Sequence, residues 1–392
     1  MHWGLLSLAF AYGLRMLGLY LVLPILSPYA ASLPGGATFW VGMAVGSYGF
    51  AQTAFQVPFG AFSDHYGRRR TIVGGLLLFV VGSLVAAMAK TAPLLVLGRT
   101  LQGAGAISSA VMALVGDLAR PEYRQRAMSL LGIVIGVTFG LGLTLGPILA
   151  VKLSVPGLFY ICAVMGALSA VAILVFVPSG RDAPHPPRPT FRQTIGVLHD
   201  LTLARVNLAV FALHLGLTAL FVVLPIQIET LIPREQMWRV LAPAIVVGVA
   251  ALAATAFLVD RFRAERLFLV IGALLLVVGS LILRGGYERL GGITFGLIVV
   301  VTGIAVLEPI LPSLVTLYAG REVRGLAAGT YSMCQFFGAG LGGLTGAYFL
   351  ARIPADIGWL VAAAGVVIAL ASIGLPPPHP GEHAGHRGER TG

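Results

Sequence analysis

Twelve apolar runs, at residues 4–26, 38–61, 72–90, 93–116, 127–151, 155–178, 204–226, 240–259, 267–284, 291–318, 326–351 and 354–374, take up most of the chain. A helix rising about 1.5 Å per residue needs about 20 apolar residues to cross the ~30 Å hydrocarbon core of a bilayer. Backbone N–H and C=O groups find no water there, so every one of them must be satisfied within the chain. Unbroken runs of this length meet that requirement as helices, because barrel strands would alternate in polarity. With 57% hydrophobic and 10% charged residues, the composition lies outside the range of soluble domains. The expectation is an all-α, multi-pass membrane protein with twelve spans.

Charge sits mainly in the connections. Of the 26 Lys and Arg, sixteen fall in the even-numbered connections and the C-terminal tail, seven in the odd-numbered ones, and three (Arg15, Arg99, Arg205) in or beside spans. Lys and Arg mark the cytoplasmic side, which puts both termini there. A net charge of +11 scattered over short loops makes no phosphate-tracking groove, so no nucleic-acid partner is expected. Cys162 and Cys334 both lie in apolar runs, which excludes a disulfide framework. No span carries a nucleophile–base pair or a metal-ligand spacing, so neither an enzyme, a cofactor nor a metal site is expected. His379, His383 and His386 belong to a solvated tail. The first run has no basic region before it and contains Arg15, unlike a cleavable signal.

The chain reads as two similar halves. The loop from Gly60 to Arg70 pairs an acid, Asp64, with three arginines, and an acid-led basic loop returns at Asp260. Residues 179–203, Pro- and Arg-rich at first, form the linker, with a short interfacial helix near 190–200. The expected units are 1–178 and 204–374, followed by a disordered tail at 375–392. Glycine stripes on the fifth span (Gly136, Gly140, Gly142) and the eleventh (Gly338 to Gly346) are placed at the interface between halves, since small residues let helices approach closely in lipid.

Ionisable groups inside spans are few. At about 2.5–3.5 kcal/mol each at a helix centre, they are functional candidates by default. Glu308 is the one carboxylate deep within a span, the tenth. His214 lies mid-way along the seventh, Arg15 on the first and Arg99 on the fourth.

Three stretches carry a resemblance. Gly60, Asp64, Gly67 and Arg68, followed by Arg69 and Arg70, resemble the signature loop of the major facilitator superfamily, although His65 stands where arginine is usual. Gly98 to Ala106, with Arg99, Gln102 and Gly103, resembles its fourth-span motif. Gly136, Gly140 and Gly142, ending at Gly146-Pro147, resemble the fifth-span motif of its drug:proton antiporters. The resemblance implies two six-helix bundles working by alternating access in a cell inner membrane, with the first, fourth, seventh and tenth spans lining a central cavity. In that frame Glu308 would meet His214, or alternatively Arg15, as the proton-coupling site. Asp64 would sit at the N-terminus of the eleventh span near Gly325–Gly329, and Arg68 beside Asp117, together forming a gate. Arg99 would join a polar network near the cavity. The implied activity is proton-coupled efflux of small, largely apolar or amphipathic compounds by a monomer, with protons, substrate and lipid as its partners. A proton-coupled importer or facilitator is disfavoured by the fifth-span glycines. A non-transporting sensor or scaffold is disfavoured by the retention of Glu308 and Asp64.

Overall fold

The computed structural model describes residues 3–119, 124–177, 191–262, 264–320 and 322–376. Among these residues there are thirteen α-helices: α1 (Trp3–Ser32), α2 (Thr38–Tyr66), α3 (Arg68–Ala87), α4 (Ala92–Ala104), α5 (Ser108–Leu118), α6 (Arg124–Phe176), α7 (Phe191–His199), α8 (Leu201–Leu231), α9 (Trp238–Phe262), α10 (Glu265–Gly285), α11 (Leu290–Tyr318), α12 (Arg324–Arg352) and α13 (Ile357–Ile373). They make twelve spans: α4 and α5 are two pieces of the fourth, α6 contains the fifth and sixth, and α7 is too short to cross. By length and composition alone nine stretches qualify among the described residues, one of them the 47-residue Leu130–Phe176; α2 and α12 fall short.

Three local features depart from or sharpen the sequence expectation. The fourth span, expected to run unbroken over 93–116, is interrupted at residues 105–107, where Ala106 N–H donates to Ala104 O and Ile107 N–H to Gly105 O. The fifth and sixth spans are not separated by a loop; helical structure resumes at once after Ser154, which holds φ +62°. The interfacial helix is α7, with Val197 buried, and Asp200 then caps α8 by accepting from Thr202 N–H (2.8 Å) and Leu203 N–H (3.1 Å). Gly67 alone joins α2 to α3 at φ +92°, a conformation that strains any residue with a Cβ. Residues 178–190 of the linker and 377–392 of the tail lie outside the described residues, as do the side chains of Asp64 and Asp260.

The halves meet chiefly where α2 crosses α12. A Cβ built on Gly46 would stand 2.6 Å from Gly340 O, and one on Gly49 2.6 Å from Phe336 O; Gly42 packs directly onto the Gly343 carbonyl. Backbone meets backbone there, with the Phe50 ring lying over Gly340, because small residues let helices approach closely in lipid. The fifth-span glycines reach across the interface too, against α9: a Cβ on Gly140 would lie 2.9 Å from Ile245, and one on Gly136 3.6 Å from Leu252. Ser27 Oγ of α1 also donates to Phe221 O of α8 at 3.1 Å. These α2–α12 and α1–α8 contacts lie between the membrane midplane and the face opposite the arginine loops. Toward the basic face no described atom lies within 4 Å of a Cβ built on Gly325 or Gly329 of α12, and a Cβ on Gly60 has, among the described residues, only Ser109 of its own half. Among the described residues the tight contacts between the halves lie away from the basic face.

A methyl group at Gly343 would press on Gly42 O (2.5 Å) and Gly46 Cα (2.6 Å), an overpacking that costs about 1–3 kcal/mol. Gly343→Ala should therefore lower the melting midpoint of the purified protein by several degrees. Gly329→Ala, which meets open space in this state, should leave it unchanged or slightly raised.

Candidate functional site

Glu308 sits on a helix that its own sequence weakens. Pro309 and Pro312 lie inside α11, and each proline removes one N–H from the ladder, freeing the carbonyls of Ala305 and Glu308. The carboxyl turns toward α8, where its Oε1 stands 3.5 Å from His214 Nε2. Its side chain is 39% exposed, against 12% for the imidazole.

The hydrogen bonds fix the histidine's state. Nδ1 lies 3.1 Å from Val210 O, an acceptor, so Nδ1 must carry the proton. In the neutral ring Nε2 is then an acceptor, and Gln335 Nε2 on α12 donates to it at 2.8 Å. A second proton on the ring, at Nε2, reverses that contact. The nitrogen would then be a donor, with the Glu308 carboxylate or, after an amide turn, Gln335 Oε1 as its acceptor. Three residues from α8, α11 and α12 thus meet at one imidazole and form a unit. Tyr331 lies one turn before Gln335 on the same face of α12, and its buried hydroxyl has no protein partner. The glutamine's part in the unit was not legible in sequence. One signal was available: Tyr331 and Gln335 are four apart on a glycine-rich span, which puts both on one face.

Arg15 does not join this unit. It is fully buried, and its Nη2 donates to Tyr48 OH (3.2 Å) and to Gly105 O (3.0 Å) in the fourth-span interruption. No described carboxylate is paired with it. Arg99 is buried beside it in the first half: its Nε donates to Ala44 O at 3.2 Å and its Nη1 to Gln102 Oε1 at 2.6 Å, and Gln102 donates on to Ser83 Oγ at 2.7 Å. Its guanidinium stacks over the Tyr48 ring, 5.0 Å from the centroid. Gly103 lets α4 press on α2, for a Cβ there would lie 2.8 Å from Tyr48 Cα. In the fifth span Gly142 packs on Tyr20, while Gly146 packs on Leu21 O, one residue before the helix-internal Pro147.

At the basic face Arg68 Nε meets Asp117 Oδ2 at 3.3 Å, and Arg68 Nη1 donates to Ser63 Oγ at 3.2 Å. The pair is partly exposed and joins two helices of one half. The expected approach of Asp64 to Gly325–Gly329 concerns a side chain outside the described residues. The glycines themselves face open space in this state.

A model of the Major Facilitator Superfamily matches residues 8–224 and 206–391. The chain belongs to the Major Facilitator Superfamily. It is 32% identical over 388 residues to the inner membrane transport protein YajR of Escherichia coli (strain K12), covering 96% of this chain and 84% of that protein. It is also similar to multidrug resistance protein 3 of Bacillus subtilis, 35% identical over 130 residues, which is 33% of this chain and 25% of that protein. The crystal structure of the human organic anion transporter MFSD10 superposes with a TM-score of 0.72 over 95% of this chain and 98% of that one; at 21% identity it shows the fold alone. The expected superfamily and its all-helical fold are therefore right. The chain is a multi-pass membrane transporter, and its relatives are transporters rather than enzymes.

In ¹⁵N-histidine spectra the neutral His214 ring should be the Nδ1–H tautomer, because Val210 O accepts there. Replacing Gln335 with leucine should leave that tautomer in place and change the Nε2 shift alone. A dominant Nε2–H tautomer would contradict the hydrogen-bond assignment.

Proposed function

We propose that this chain is a proton-driven exporter of small, largely apolar or amphipathic compounds, and that Glu308 carries the proton. The observation that carries the reading is the Glu308–His214–Gln335 unit, in which a carboxyl group stands 3.5 Å from an imidazole inside a membrane bundle. A lone acid there costs a few kcal/mol, and carboxylate and imidazole are the side chains with which proteins move protons near neutral pH. The fifth-span glycines, by their likeness to the drug:proton antiporters, favour export over import. The similarity to the Bacillus subtilis multidrug resistance protein points the same way.

In this reading residues 1–178 and 204–374 are the two rocking halves and 179–203 is the linker. The basic face is cytoplasmic and the structure is the inward-open state of a monomer in the inner membrane. The Arg68–Asp117 pair braces the first half, so that Asp64 meets the N-terminus of α12 when the basic face closes, where free N–H groups and the helix dipole favour an anion. Protonation of Glu308 from the outer side removes its charge and its claim on His214. The acid crosses neutral, and its proton leaves once the cavity opens inward. One proton moving down about 100 mV supplies ~2.3 kcal/mol, enough for roughly a 50-fold gradient of a neutral solute exchanged one for one.

In proteoliposomes Glu308→Gln should abolish pH-driven transport while leaving folding and substrate binding nearly intact, because the amide mimics the protonated acid. His214→Ala should shift the pH profile without abolishing flux, since it removes a tuning group and not the carrier. Undiminished proton-coupled flux in Glu308→Gln would move the carrier to the Asp64/Asp117 rim.

A further inference from the structure

Two fixed cations lie inside the first half. Arg15 and Arg99 are 0% and 2% exposed, and Tyr48 bridges them, its hydroxyl accepting from Arg15 and its ring lying under Arg99. Arginine does not lose its proton to escape burial. Arg99 is met by Gln102 and a backbone carbonyl. Arg15 has only one edge engaged: Nη2 is bonded, whereas Nε and Nη1 are buried with no protein partner. No ion pair to either arginine occurs among the described residues. Intramembrane charges normally pair, because leaving one uncompensated in low dielectric costs several kcal/mol.

The bonded edge of Arg15 ends on the fourth-span interruption, since Nη2 donates to Gly105 O. Three residues on, α5 begins at Ser108, well inside the fourth span, and runs for 11 residues. Tyr12, one turn before Arg15 on α1, meets Ser108 Oγ at 3.3 Å, so the start of α5 faces the same stretch of α1. The first N–H groups of a helix lack intrahelical partners and carry the positive end of its dipole. Ser109 adds a buried hydroxyl with no partner. A guanidinium that lies over the Phe79 ring, with two nitrogens unbonded, and the start of α5 thus border the same interruption of the fourth span. Unwound backbone at membrane depth is tolerated where it lines a site.

We infer that Arg15 and the start of α5 form a binding centre for a compact monoanion, either a halide or the carboxylate head of an amphipathic compound. Water would satisfy the hydrogen bonds but not the charge. The centre lies in the half opposite Glu308, so it holds whether or not Glu308 carries the proton.

The test is thermal melting of the full chain in a non-ionic detergent, titrated with sodium chloride, sodium octanoate or octanamide against a sodium gluconate background. The melting midpoint should rise by several degrees with chloride or octanoate and stay flat with octanamide. A rise with both anions or with chloride alone identifies a resident inorganic anion. A rise with octanoate alone identifies the acidic head of a substrate. In Arg15→Gln the rise should disappear, while Arg15→Lys, which keeps the charge, should retain part of it. No anion-dependent rise in the unsubstituted protein, or an equal rise in Arg15→Gln, would overturn the inference. Melting involves no proton flux, so failure here leaves the Glu308 reading standing.

Discussion

Hydrocarbon accepts a polar group only with its partner, and most of this structure follows from that constraint. Backbone groups are satisfied by folding every span as a helix. Charges are satisfied by moving them to the loops. Hydrophobic burial cannot then hold the helices together, since lipid is as apolar as leucine, and close packing of small residues takes over. Gly42, Gly46 and Gly49 on α2 meet Phe336, Gly340 and Gly343 on α12 backbone to backbone. Beside the backbone contacts, the Phe50 ring of α2 lies over Gly340 and edge-on to Phe337 of α12, so the seam joins two separately packed bundles through small residues and one aromatic pair.

The exceptions to the constraint are where function concentrates. In the second half the carboxyl of Glu308 is offset by an imidazole whose own state is held by Val210 and Gln335. In the first half the compensation is incomplete. Arg15 and Arg99 are guanidinium groups that stay charged, so the first half holds two fixed cations while the second holds a carboxyl and an imidazole.

Much of this was legible in the chain because the bilayer restricts the alternatives. Run lengths gave the spans, and the glycine stripes marked helices that cross the interface. Scarcity singled out Glu308 and His214, and the structure brings them together. The interruption at Gly105–Ile107 was not legible, because no proline marks it and an apolar run looks the same whether or not its middle is wound. It depends on a tertiary partner, Arg15, bonding to Gly105 O. For the same reason Arg15 could not be assigned from sequence: a position on α1 does not say whether its guanidinium turns into its own bundle or toward Glu308. Gln335 is one of several in-span glutamines, and an uncharged amide carries no desolvation signal that would single it out as the partner of His214.

The central claim is that the charge on Glu308 sets which face is open. Spin labels at Tyr66 and Phe262 on the basic face, and at Lys90 and Arg289 on the opposite face, occupy exposed positions in the two halves. Pulsed dipolar distances between each pair, measured across a pH series, test the claim directly. The account predicts reciprocal changes, one distance shortening as the other lengthens, in the unsubstituted chain, and pH-independent distances in Glu308→Gln. Distances that ignore pH in the unsubstituted chain, or that still exchange in Glu308→Gln, would contradict it.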